Sequence, residues 1–317
     1  MTGLKKALNS AAVLPWENGF KLDVSTEKLP TVSIVIPIYN SAKFLEKTLR
    51  SLICNDLQGV ELILMDGGSN DNTMEIVSHY EDIFTHIQSK KDDGQSDAIN
   101  KGYENATGEI LYWLNGDDII LPNTLNKVRR YYKAHKECEV LVGNAFMTEL
   151  DFTPINHFIF SKEKLRFEHL IDYAKNHLIQ PSVFFTRKAW ELAGPLDIHD
   201  HYAMDADLFI GMAKNHDIHY INEDIAYSVY HEDCKTRGAR SESITSLALV
   251  QAKHGGMKQA KATLNILVDL YHQQENEINN APSNAHTKAL AARLAAMELH
   301  TLKQQELCLK MDLEAHQ

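Results

Sequence analysis

Three apolar runs, each cut off by a turn, constrain this chain more than any other feature. Val32-Ser33-Ile34-Val35-Ile36 halts at Pro37, Glu61-Leu62-Ile63-Leu64-Met65 runs into Asp66-Gly67-Gly68, and Glu109 to Leu114 runs into Asn115-Gly116-Asp117-Asp118. Runs this short, bounded by turn residues, read as strands buried on both faces. Helical spacing fills the gaps. Ser41 is positioned as N-cap of a helix through Leu52, and further helices are expected from Asn72 toward Tyr80, over Ser96 to Asn105 and over Pro122 to Ala134. The alternation predicts a doubly wound α/β sheet, mainly parallel and flanked by helices.

Beyond Ala134 the pattern loosens. Val140 to Asn144 and Ser182 to Phe185 read as strands, Arg187 to Ala193 and Asp205 to Lys214 as helices. From Ser241 onward Leu and Ala recur at helical spacing, broken near Asn279 to Pro282, which predicts an α-helical C-terminal extension of two or three helices. The expected organisation is a leader over residues 1–30, disordered or loosely packed, an α/β domain over 31–239 and a helical tail over 240–317. The four cysteines are dispersed and suggest no disulfide framework, as in a cytoplasmic protein. No run reaches the 18 or so apolar residues of a membrane span, so any membrane contact is expected to be peripheral.

Charge narrows the function classes. The formal net charge is -11, and the tail balances eight bases against eight acids, so the whole excess lies in residues 1–239. An acidic body argues against a nucleic-acid surface, which needs a basic face. Two strand ends instead deliver carboxylates, Asp66 and the Asp117-Asp118 pair, to the edge where open α/β sheets bind ligands. Two adjacent carboxylates repel if buried, and a hard divalent cation, Mg²⁺ or Mn²⁺, would relieve this. The alternative is plain turn chemistry, with an Asp capping the helix that starts at Pro122. No GxGxxG, GxxxxGK[ST], GxSxG or HExxH pattern occurs, so phosphate would have to be held by metal and side chains.

Five segments occur in order: Pro37-Ile38-Tyr39-Asn40, Asp66 to Thr73, Asp93 to Gly102, Ala106 to Glu109 and Leu114 to Asp118; Gln180 to Phe185 and Tyr202 to Leu208 follow. Together they resemble family 2 glycosyltransferases of the GT-A fold over about residues 31–237. The resemblance implies a nucleotide-sugar half over 31–135 and an acceptor half over 136–239. It implies that Pro37, Tyr39 and Asn40 lie against the donor nucleotide and that Asp66 accepts a hydrogen bond from its base, where the bland alternative is a helix cap. Asp93 and Lys101 fall in stretches that flank the nucleotide. Asp117 and Asp118 match the acidic metal motif, with Asp118 expected as the direct ligand; Asn115 replaces an acid that many relatives carry.

The same resemblance makes Asp205 the candidate catalytic base for an inverting displacement, although Met204 replaces the acid that often precedes it. His231 is a candidate for the metal shell or the diphosphate, and Lys235 or Arg237 for neutralising phosphate. The implied activity is metal-assisted transfer of a sugar from a nucleotide-diphosphate sugar, UDP-linked by first choice, to a glycan, polysaccharide or lipid-linked acceptor. The cofactor would be Mn²⁺ or Mg²⁺, the location cytoplasmic with at most peripheral contact at the inner membrane face, and self-association would run through the tail. The competing readings are a non-catalytic sugar-nucleotide-binding scaffold, which Met204 and Asn115 allow, and a sugar nucleotidyltransferase, for which the Gly-rich phosphate loop is missing.

Overall fold

The computed structural model describes residues 5–234 and 239–280, without the side chains of 274–280. The strands are β1 (Val32–Ile38), β2 (Val60–Asp66), β3 (His86–Ser89), β4 (Ile110–Trp113), β5 (Ile119–Ile120), β6 (Val140–Thr148), β7 (Pro154–Phe158), β8 (Val183–Thr186) and β9 (Ile218–Val229). They form one sheet in the order β3-β2-β1-β4-β8-β6-β9-β5, with β7 paired to β6. β3, β2, β1 and β4 are parallel, β8 runs against β4 and β6, and β9 is parallel to β6. The helices of this body are α1 (Leu45–Ile53), α2 (Thr73–His79), α3 (Gln95–Asn105), α4 (Thr124–Ala134), the short α5 (Phe167–Leu170), then α7 (Arg187–Ala193) and α8 (Met204–Asn215), while the short α6 (Tyr173–Asn176) falls almost wholly in the second unit described below.

The pleat explains the layers. Ile34, Ile36 and Ile38 point to one face of β1 and join Leu45, Leu49 and Leu52 of α1 and Leu125, Val128 and Tyr132 of α4 in the main core. Each such fully buried side chain contributes about 1.5–3 kcal/mol. Val35 points to the other face, against α3. Helix and strand come so close there that a Cβ at Gly102 would stand 2.5 Å from Val35 Cγ1. Helices on both faces make the expected doubly wound arrangement.

β1 runs two residues further than the sequence pattern predicts, through Pro37. Val35 O accepts from Leu114 N, so alternate residues of β1 aim their backbone groups at β4. At Pro37 that partner has already ended, since the β1–β4 pairing stops at Val35↔Trp113. The missing N–H of proline therefore breaks no ladder bond, while Ile38 O still accepts from Gly67 N on the β2 side. The first helix begins later than expected: Ser41 O accepts from Phe44 N and Leu45 N in a preceding turn, and α1 proper starts at Leu45.

The leader is the clearest departure. Residues 5–30 are packed onto the body rather than disordered. Glu46 accepts from Leu8 N (2.6 Å) and Asn9 N (3.0 Å), Leu14 is 1% exposed, and Glu17 forms a buried, two-pronged ion pair with Arg50 on α1. Burial works against the Arg50 charge, but the hydrogen bonds to Glu17 and Tyr80 outweigh it and hold the guanidinium firmly ionised. The short apolar patch was legible; its docking partners Ile119 and Val229, more than 100 residues on, were not. β9 was also not anticipated. Its centre carries Asn222, Glu223 and Asp224, and the pairing with β6 shifts register between Gly143 and Ala145, so no simple alternation marks it.

Among the described residues, 171–175, 233–234 and 239–280 fall in a second compact unit. It contains α9 (Arg240–Lys253) and α10 (Met257–Asn280), turned at Gly255, whose φ of +92° suits glycine. Ala248, Ala260, Leu264 and Leu267 make its apolar core, and Gln251 links Thr263 Oγ1 (2.7 Å) to Ile171 O (3.0 Å). The third helix expected beyond Pro282 lies outside the described residues, as do Lys235 and Arg237. Among the described residues no helix is long and apolar enough to cross a membrane, and no cysteine is in a disulfide.

Candidate active site

Strand order reverses at β1: β2 and β3 lie to one side and β4 to the other. The loops after β1, β2 and β4 therefore open at one edge, at the switch point where doubly wound sheets bind ligands. Gly116 allows the β4 loop to lie against the β1 loop, since a Cβ there would meet Ile38 Cγ2 at 2.8 Å.

The β1 and β2 loops are stitched together. Asn40, at φ +48°, donates its N–H to Ser69 Oγ (2.8 Å) and accepts from Asn70 N through Oδ1 (2.9 Å). Tyr39 is 61% exposed and Pro37 is buried. Asp66 is buried, and its carboxylate accepts from Ser69 N and Oγ and from Ser89 Oγ at 2.5–3.2 Å. It thus holds its own loop and the end of β3, rather than the next helix.

Asp93 and Lys101 stand apart from that loop. Asp93 is exposed, and its N–H donates to Asp97 Oδ2 (3.0 Å); Lys101 Nζ lies 2.5 Å from the same oxygen and is 42% exposed. The neighbouring Asp92 is the acid that turns inward. A Cβ on Gly67 would meet its Oδ2 at 2.9 Å, and burial, with the charges of Asp97 and Asp66 adding to it, raises its pKa. Two adjacent acids in a loop give no sequence signal as to which faces in, so Asp92 escaped notice.

The pair after β4 divides its labour. Asp118 is 4% exposed, with one oxygen on Val229 N (3.2 Å) and the other on Asn115 Nδ2 (3.1 Å). Burial first, then the Asp117 charge, push its pKa well above the usual carboxylate range. Asp117 keeps a third of its side chain exposed and meets His231 Nε2 at 3.0 Å. His231 is 5% exposed and stacks on Phe44 with centroids 4.0 Å apart. Asp118 braces the turn from inside, and Asp117 is the one at the surface of the site.

Asn115 is a hub. It accepts from Gln95 Nε2 (2.7 Å) and donates to Asp118 Oδ2 and Gln180 Oε1, each at 3.1 Å; Gln180 in turn donates to Trp113 O (3.0 Å). An amide can both donate and accept here, where a carboxylate only accepts. Gln95 and Gln180 lay inside the quoted motifs, but sequence reasoning gave them no role.

From Gln95 the connection continues along α3. Ser96 Oγ touches Met204 Sδ (2.8 Å), and Asn100 exchanges two hydrogen bonds with the backbone of Leu196. α8 is thereby fastened to the start of α3, and Asp205 occupies its first turn, behind a backbone turn that Asp200 Oδ1 holds through Tyr202 N and Ala203 N. Asp205 is partly exposed yet surrounded by protein. Burial, aided by the Asp200 charge and opposed by a hydrogen bond from Ala206 N, raises its pKa to about 6.

With fold and site in view, comparison with known proteins agrees on class. The model of glycosyl transferase family 2 matches residues 33–191, half of the chain, and the chain belongs to that family. It is a glycosyltransferase. A glycosyltransferase of Rickettsia typhi is 26% identical over 67% of this chain and 68% of its own length. A PGL/p-HBAD biosynthesis glycosyltransferase of Mycobacterium bovis is 28% identical over 59% of this chain and 71% of its own. Among solved structures, the mannosyltransferase PcManGT from Pyrobaculum calidifontis, in complex with GDP-Man and Mn²⁺, superposes with a TM-score of 0.54 at 16% identity, covering 88% of this chain and 90% of its own. S. aureus TarS 1-349 in complex with UDP-GlcNAc gives 0.56 at 18% identity, covering 85% and 73%. The chain spans 43% of the longer TarS chain. At such identities the structures establish the fold, which is that of the GT-A glycosyltransferases.

Proposed function

We propose that this glycosyltransferase moves a sugar from a nucleotide-diphosphate sugar, UDP-linked by first choice, to a hydroxyl of a glycan, polysaccharide or lipid-linked acceptor, with inversion and with help from Mn²⁺ or Mg²⁺. The observation that carries the reading is the Asp117–His231 pair at the switch point, joined through Asn115, Gln95 and α3 to the start of α8, where Asp205 stands. Pro37, Tyr39 and Asn40, with Asp66 and Asp92 behind them, would form the nucleotide wall. Asp93 and Lys101 would serve only its rim.

One carboxylate with phosphate oxygens suits Mn²⁺ or Mg²⁺, and of the two Mn²⁺ better accepts an imidazole beside them. Asp117 and His231 would hold the ion, with Asp118 as an inner brace. Bound there, the ion would offset charge gathering on the leaving diphosphate. The protein's own part is proton transfer and placement. Asp205, with its pKa near 6, is a stronger base than an ordinary carboxylate and is still ionised at pH 7. It would take the acceptor proton as that oxygen attacks the anomeric carbon from the face opposite the diphosphate. Residues 31–135 would form the donor half and 136–239 the acceptor half, with the tail available for self-association. A cytoplasmic location, with at most peripheral membrane contact, fits these parts.

A thermal-shift screen of UDP, GDP and dTDP with and without Mn²⁺ tests the binding half. A hundredfold excess over Kd gives about 2.7 kcal/mol of stabilisation. Donor turnover by wild type and Asp205→Asn tests the chemistry. A nucleotide response indifferent to Mn²⁺ would remove the metal from the proposal. Mn²⁺-dependent UDP binding without turnover of any donor in a panel would favour the scaffold reading instead.

A further inference from the structure

We infer a second metal site, for a transition ion of the Zn²⁺ type, formed by His135, Glu137 and His219 at the sheet edge opposite the candidate active site. Each of these residues offers one ligand atom, and the three atoms lie within 4.8 Å of one another. Among the described residues this is the only such group of three.

The topology brings it about. α4 runs back along the sheet, so its C-cap residue His135 arrives at the amino end of β6. Five residues later β6 begins, and its Leu141 pairs with His219, the second residue of β9. A tight turn, with Cys138 N donating to His135 O (3.1 Å), folds Glu137 back toward the imidazole, 3.4 Å from His135 Nδ1. Asp117 follows the carboxyl end of β4, which is parallel to β6, so the two sites lie at opposite edges.

The chemistry differs from that of the active site. Two imidazoles and one carboxylate make a borderline-soft set that Zn²⁺ fills with a water as fourth ligand. Ligand bonds of about 2.0–2.2 Å put neighbouring donors roughly 3.4 Å apart in a tetrahedral shell. The His135–Glu137 pair already has that spacing, and partly exposed side chains can close the rest. Tyr131 supplies orientation: its hydroxyl lies 3.2 Å from His219 Nδ1 and its ring 4.3 Å from that of His135. A surface His135–Glu137 pair at a helix C-terminus accounts for two of the residues. It does not account for the arrival of His219 from another strand.

A bound ion would tie the end of α4 to the start of β9. The test is Zn²⁺ titration by calorimetry on the full chain, in an Asp117→Asn background that silences the active-site acid. Co²⁺ absorption serves as a geometric probe. Expected are one Zn²⁺ per chain with micromolar Kd, a tetrahedral Co²⁺ band, and a rise in melting temperature of about 5 °C at saturating Zn²⁺. His219→Ala and His135→Ala should each weaken Zn²⁺ binding at least about 30-fold, and the exposed Glu137→Gln, which poses no folding risk, several-fold. Unchanged Zn²⁺ affinity in the His219→Ala chain, or no binding by the parent at 100-micromolar concentrations, overturns the site. Donor turnover plays no part in the readout, so the outcome is separate from that of the proposed activity.

Discussion

His231 Nε2 lies 3.0 Å from Asp117 Oδ2, and the two residues are 114 positions apart in the chain. One comes from the turn after β4, the other from just beyond β9, and the Phe44 ring beneath His231 sets its plane. Asp117→Asn is expected to lower Mn²⁺-stimulated transfer on the order of 100-fold or more while leaving the circular dichroism unchanged. His231→Ala should lower it 10- to 100-fold, on the order seen when a metal's supporting groups are lost. Asp118→Ala should behave differently. It leaves Val229 N–H and one of the two N–H groups of Asn115 Nδ2 without an acceptor in the interior, so it should cost about 2–4 kcal/mol in urea denaturation. If Asp118→Ala loses Mn²⁺ affinity at full stability, the division between the two acids is wrong.

Asp205 couples pH to both activity and stability. Its folded-state pKa near 6 lies above the unfolded value of 3.8 because burial opposes ionisation. The folded chain therefore holds a proton that the unfolded chain has released between those values. This contribution favours folding at low pH and is lost as pH rises toward 6. Asp205→Asn removes the buried charge and should stabilise the protein at pH 7.5 by about 2–3 kcal/mol at most, less to the extent that solvent reaches the group. The same substitution should reduce kcat at least about a thousandfold. Wild-type kcat/KM should fall below pH 6. A flat profile from pH 5 to 8 would exclude Asp205 as the base.

Asn115→Asp puts an acid at the hub, and it should do harm. The new carboxylate would face Asp118 Oδ2 and Gln180 Oε1, two acceptors, where the amide had donated to both. A loss of about 1–3 kcal/mol by urea titration is expected at pH 7.5, easing at low pH. Added Mn²⁺ should recover only part of it. Full stability of Asn115→Asp without metal would mean that the amide is no hub.

Glu17→Ala tests the docked leader. Arg50 would keep its buried charge and lose its main partner, at a cost of about 3–5 kcal/mol. Limited proteolysis should then cut within residues 5–30 well before the body unfolds. Resistance equal to wild type would show that the leader is held by its apolar contacts alone.

How much of this was legible varied from element to element. β1, β2 and β4 were plain because strands buried on both faces must be continuously apolar, and the ends of β2 and β4 were marked by Gly, Asp and Asn. The extension of β1 through Pro37 was not, because it depends on where β4 stops. Local patterns cannot say which of two adjacent acids faces inward, and so the sheltered Asp92 and Asp118 were not told apart from Asp93 and Asp117. The hub at Asn115 was invisible for a related reason: its partners lie 20 and 65 residues away.

The amino-acid sequence by itself therefore determined the strand–helix alternation, the family and the acidic turns at the strand ends, since periodicity and turn chemistry act over a few residues. Tertiary structure alone decided which acid is sheltered and which exposed, where His231 meets Asp117, and how far Asp205 is pushed toward neutrality. Those outcomes depend on burial and on partners brought together by the sheet, and neither is written in any local stretch of chain.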